Sequence, residues 1–149
     1  MPMILQTDPR LLPEINKYGC YFMSICFFLN KYKKVMWTTD KINDFYKLMV
    51  NIGNIEADDD FTTANPIDAE IIKPDKIFQS GGLIVEYLGH CSKDYICDSD
   101  KFEILKFVGK NGSHFVCGDG KGNVAYDPYG DSNSVRFGEL HSKRVFRRI

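Results

Sequence analysis

The feature that most constrains this chain is the segment Cys20 to Lys31, which is apolar on nearly every face and contains neither glycine nor proline. A helix that is hydrophobic all round must lie in the middle of a domain, with other elements packed on every side. The preceding Gly19 marks a turn, so the spacing predicts that the helix begins at Cys20. A second helix is expected from Thr38 or Thr39, as cap, to about Ile52. Ile42, Phe45, Tyr46 and Met49 make an amphipathic stripe there, and Gly53 stops it.

Two further segments are read less directly. Asn65-Pro66 has the form of a cap followed by a first-turn proline, with a short helix expected to about Ile72. Leu83 to Leu88 leans toward helix. The lead-in, Met1 to Lys17, carries Pro2, Pro9 and Pro13 and reads as irregular or extended.

From Phe102 onward the pattern changes. Phe102–Val108, Ser113–Cys117, Asn123–Tyr126 and Arg144–Arg148 are short, rich in β-forming residues and separated by glycine-bearing turns. Helices followed by strands predict an α+β fold, with N-terminal helices packed on a C-terminal antiparallel sheet. The 149 residues are expected to form one domain, residues 1–149.

Composition narrows the function classes. A hydrophobic content of 44% suits a packed core, and a formal net charge of −1 supplies no global field for nucleic acid or an anionic membrane. The longest apolar run is about half the ~20 residues that span a bilayer, so no membrane insertion is expected. Met1 to Leu12 has no signal-like pattern, and the protein is expected to be cytoplasmic as synthesised, with release to the cell wall requiring a separate route. The basic residues Lys143, Arg144, Arg147 and Arg148 fit a solvated terminal strand.

Cys20, Cys26, Cys91, Cys97 and Cys117 are odd in number and form no CxxC pair, so reduced thiols are expected, with a Cys91–Cys97 bridge the one exception to test. No metal or cofactor is expected. His114 and Cys117 stand three apart on a strand and point to opposite faces, while His90-Cys91 is adjacent and awkward for chelation. Asp58-Asp59-Asp60 lacks the alternating oxygen ligands of a calcium loop and reads as solvated.

Four residues carry the chemistry. Cys20 stands at a helix start, where the dipole and free N–H groups favour a thiolate and can hold an oxyanion. His114 lies on the strand Ser113–Cys117. Pairing Cys117 with Val124 across the turn Gly118–Gly122 would bring His114 opposite Asp127, with Cβ atoms about 4.5–5.5 Å apart. Asp127-Pro128 ends the second strand, because proline has no donor. Gln6 has a carboxamide able to donate to an oxyanion.

The stretches Ile4-Leu5-Gln6-Thr7-Asp8, Tyr18-Gly19-Cys20, Gly112-Ser113-His114-Phe115-Val116 and Val124-Ala125-Tyr126-Asp127-Pro128-Tyr129-Gly130 together resemble the papain-like cysteine peptidases of the bacteriocin-leader-processing (double-glycine peptidase-like) group. The family's glycine after the cysteine is replaced here by Tyr21, and Ser113 separates Gly112 from His114. The resemblance implies a papain-like fold and a thiol hydrolase that cleaves a peptide amide bond. Cys20 would be the nucleophile, His114 the general base, Asp127 its orienter and Gln6 the oxyanion donor. It implies a peptide substrate, and the Lys-, Asn- and Ile-rich usage leans toward peptidoglycan peptides of a bacterial or phage setting. A catalytically silent binding module and a thioester-forming acyl transferase are the competing readings. Oligomeric state is not written in the sequence.

Overall fold

The computed structural model describes residues 3–56, 70–110 and 112–149. The start of the expected helix at Asn65-Pro66 and the acidic run Asp58–Asp60 lie outside them; the end of that expected helix, Glu70–Ile71, is instead a short strand paired with Ile55–Glu56. Among the described residues there are five helices and two antiparallel sheets. In chain order the elements are α1 (Pro13–Tyr18), α2 (Cys20–Lys33), α3 (Thr39–Asn51), β1 (Ile55–Glu56), β2 (Glu70–Ile71), α4 (Pro74–Ser80), β3 (Val85–Ser92), β4 (Lys101–Gly109), β5 (Gly112–Gly118), β6 (Val124–Tyr126), α5 (Asn133–Phe137) and β7 (Glu139–Arg148). The fold is α+β, as the order of helical and strand patterns predicts.

The main sheet runs β3-β7-β4-β5-β6, all antiparallel. β7, the C-terminal strand, therefore inserts between β3 and β4. It begins at Glu139 rather than Arg144, because β4 pairs with it from Glu139 to Arg147 and β3 from Ser142 to Arg148. Lys143, Val145 and Phe146 are fully buried and Arg144 nearly so, because the strand is central to the sheet; of the basic residues expected to be solvated, only Arg147 and Arg148 are partly exposed.

α2 is the central helix that its composition demands. Phe22, Met23, Ile25, Cys26 and Leu29 have no solvent exposure, and one flank packs on β5. The Cys117 thiol donates to the Ser24 carbonyl at 3.2 Å, tying strand to helix. Phe28, Phe78, Phe102 and Phe146 form a contiguous aromatic cluster between α2, α4 and the sheet, with ring centroids 4.5–5.3 Å apart. Burying each such ring contributes on the order of 2–3 kcal/mol. α3 follows its stripe, with Ile42, Tyr46 and Met49 buried and the Thr38 hydroxyl accepting from Lys41 N.

Two expectations are corrected. Leu83 to Leu88 is not helical. From Val85 it forms β3, where alternating Val85, Tyr87 and their neighbours pair with β7, so a partner distant in sequence overrides a weak local preference. The lead-in is not irregular throughout, since Pro13 takes the first position of α1. All five cysteines are free thiols, Cys91 and Cys97 included. Among the described residues no helix is long and apolar enough to cross a membrane.

Candidate active site

The joint between α1 and α2 sets the position of Cys20. A Cβ on Gly19 would stand 2.6 Å from the Ile15 carbonyl oxygen and 2.8 Å from its Cα, so only glycine lets the two helices meet this closely. Gly19 is also the N-cap of α2 and supplies no side chain to its first turn. The first N–H groups of a helix have no intrahelical acceptor, and Cys20, whose thiol is half-buried, is the first residue of α2.

His114 and Asp127 meet, but not by the expected register. Cys117 pairs with Tyr126, not Val124, and a bulge between Cys117 and Gly118 separates this pair from Gly118–Val124. The extra residue is Ala125 of β6, and in the turn before it Gly120 and Gly122 both adopt positive φ. Asp127 lies just past the end of β6, and its Oδ1 is 2.7 Å from His114 Nε2. Both side chains are almost fully buried. Asp127 also accepts from Tyr129 N at 2.9 Å and from Ser132 N at 3.1 Å, so the loop that follows wraps its own carboxylate.

Cys20 stands close enough to His114 to act on its titration together with Asp127. Burial alone would lower the His114 pKa, but Asp127 and Cys20 outweigh it and raise the value to about 9. Burial opposes ionisation of Asp127 too, yet the bonds from His114, Ser132 and Tyr129 bring its pKa down to about 2. At neutral pH the pair is imidazolium and carboxylate. Tyr129 covers the imidazole face, with ring centroids 4.7 Å apart.

Gln6 is fully buried and joins the two halves of the site. Its backbone N–H donates to Pro128 O at 2.8 Å, next to Asp127, and its Nε2 donates to Asn16 O at 3.1 Å, in α1. Asn16 returns a bond from Nδ2 to Gln6 O at 2.7 Å. One carboxamide N–H is therefore committed to Asn16, and the second is uncommitted. Gln6 Oε1 has no hydrogen-bond partner among the described residues.

The β5–β6 hairpin has a support that sequence reading missed. Glu103 and Lys143, both fully buried, pair at 2.8 Å. Glu103 Oε2 accepts from Gly120 N and Gly122 N at 3.1 and 2.9 Å, holding the turn between the strands that carry His114 and Asp127. A charged residue inside the apolar run Phe102-Glu103-Ile104-Leu105 was the available signal. Ser132 and Tyr129 were also unassigned; both act through backbone or ring geometry that only the folded loop creates.

A family model described as Protein of unknown function, DUF261, matches residues 1–148. The chain belongs to this family. No curated protein and no solved structure matches it. The family description carries no activity, so the function must be argued from the site itself.

Proposed function

We propose that this DUF261 protein is a thiol hydrolase of papain-like architecture that cleaves a peptide amide bond. The observation that carries the reading is the chain of contacts Cys20–His114–Asp127 at the start of a buried helix. A thiol beside a buried imidazole, oriented in turn by a carboxylate, is the arrangement that nucleophilic catalysis requires. The papain-like assignment rests on the order of these parts and on the resemblance of the segments around them.

In the proposed reaction the Cys20 sulfur, as thiolate beside the His114 imidazolium, attacks the amide carbon. The oxyanion is received by first-turn N–H groups of α2 and by the free N–H of Gln6. His114 gives its proton to the leaving amine, which departs and leaves a thioester. A water then gives a proton to the imidazole as it attacks the thioester, releasing the acid and restoring Cys20. Asp127 holds the ring and its charge throughout.

The test is alkylation of the five cysteines by iodoacetamide, mapped by mass spectrometry, followed by turnover of peptidoglycan fragments and a peptide library. The reading expects Cys20 to be the fastest thiol, to slow in His114→Ala, and turnover to vanish in Cys20→Ala. Turnover that persists in Cys20→Ala refutes it. A Cys20 that is inert in both proteins points instead to a binding module that keeps the cleft without the chemistry.

A further inference from the structure

The face of the main sheet that carries α2 continues past the start of that helix. Strand pairing places His90 of β3, Arg144 of β7, Ile104 of β4 and Cys117 of β5 across it, with Ser142, Lys106 and Phe115 two residues further along their strands. Cys117 is covered by Ser24 of α2, and Phe115 meets Tyr21, the residue after the nucleophile, at a ring separation of 4.7 Å. Beyond Tyr21 the face is basic: Arg144, Lys106 and His90.

None of these three makes an ion pair with a carboxylate among the described residues. Arg144 is only 7% exposed, yet its side chain has one hydrogen bond, from Nη1 to Ser142 Oγ at 2.8 Å, and its guanidinium lies 5.4 Å from the Phe115 ring centroid. Its remaining guanidinium donors are not among the sealed, unsatisfied atoms of the molecule, so they face accessible space. Tyr21 and Tyr87 lie within its field, and Arg144 and Lys106 both act on His90. Elsewhere Lys143, Arg10, Arg136 and Arg147 each have a carboxylate, while Arg148 bonds the Ser99 carbonyl and lies over the Tyr32 ring.

A nearly buried guanidinium without a counter-ion is costly unless an anion completes it, and its planar fork suits a carboxylate. We infer that Arg144, supported by Lys106, binds a carboxylate of the substrate, so that the peptide cleaved at Cys20 carries a negative charge a short distance from the scissile bond. This rests on the proposed role of Cys20 as nucleophile. The carboxylate has two chemical sources, an acidic side chain or a free α-carboxylate.

The experiment needs no known substrate. Three thiol reagents of equal length would be compared at Cys20: N-bromoacetyl-glutamine amide, which is neutral, N-bromoacetyl-glutamic acid α-amide, with a side-chain carboxylate, and N-bromoacetyl-glutamine, with an α-carboxylate. At low salt at least one anionic reagent should label Cys20 about tenfold faster than the neutral one, the scale of a single charge-assisted pair. Whichever it is identifies the source. The ratio should fall toward one in Arg144→Gln and be reduced in the less buried Lys106→Gln, which guards against a fold defect at Arg144. Equal labelling by all three reagents in the unmodified protein overturns the carboxylate site while leaving the nucleophile standing. No labelling of Cys20 by any reagent overturns both.

Discussion

Replacing Asp127 with Asn separates the two things this carboxylate does. It carries the charge opposite His114, and it accepts three hydrogen bonds, from His114 Nε2, Tyr129 N and Ser132 N. An amide offers one oxygen and turns an NH2 toward whichever donor remains, which leaves a buried N–H opposed. That alone costs about 1–3 kcal/mol. The charge adds a dependence on pH. His114 holds its proton more tightly in the folded protein, with a pKa of about 9 against 6.5, so its contribution is fully present below pH 6.5 and is lost as pH rises through about 9. Over that window the protein should lose about 3 kcal/mol from this group. Asp127→Asn removes the leading cause of the raised value, while burial still acts to lower it, so the variant should lose much less between pH 6 and 9.5. The deficit of the variant should therefore be large at pH 6 and shrink by pH 9.5. Urea unfolding followed by the single tryptophan, Trp37, whose indole N–H is bonded to Cys26 O, measures both curves. A deficit that stays constant across the range, or a His114 proton resonance in the unmodified protein that titrates near 6.5, would refute the reasoning.

Gln6→Ala should lower turnover by about 10²-fold, the scale for one oxyanion donor, in steady-state assays once a substrate is found; a loss below twofold would remove Gln6 from the site. Glu103→Gln leaves Lys143 charged and buried, and should cost about 3–5 kcal/mol in urea unfolding, whereas an effect under 1 kcal/mol would mean that water reaches the pair. Gly19→Ala drives a methyl group into Ile15 and must displace the start of α2, so the Cys20 alkylation rate should fall even where circular dichroism remains native; an unchanged rate would show that the joint tolerates movement.

Tyr21 stands where the resembling family has glycine, and the structure gives it an occupation. Its ring packs on Phe115, with ring centroids 4.7 Å apart, and it lies near Tyr87. Phe115 in turn lies 5.4 Å from the Arg144 guanidinium, so the pair links the residue after Cys20 to the basic end of the sheet.

Much of the architecture follows from local pattern. Cys20 to Lys31 reads as a buried helix because it is apolar on nearly every face, and its start is set by a glycine whose Cβ would meet Ile15. Thr38 caps α3 by its own hydroxyl, a bond between residues three apart. β4 and β5 are dictated by β-forming residues and a turn within reach of both. Cys20, His114 and Asp127 could be named for the same reason, since each lies beside a local signal: a helix start, a strand, a strand-ending proline. What the chain pattern did not contain is set by partners distant in sequence. β3 is a strand because β7 returns some sixty residues later to pair with it. The meeting of His114 with Asp127 depends on a bulge, which shifts register without leaving any mark in hydrophobic alternation. Gln6 is fixed by Asn16 and Pro128, and only strand pairing sets Arg144 beside Phe115, without a carboxylate partner among the described residues. Short-range hydrogen bonds and burial periodicity are carried by the sequence itself, whereas charge compensation and register are properties of surfaces that exist only after the chain has closed on itself.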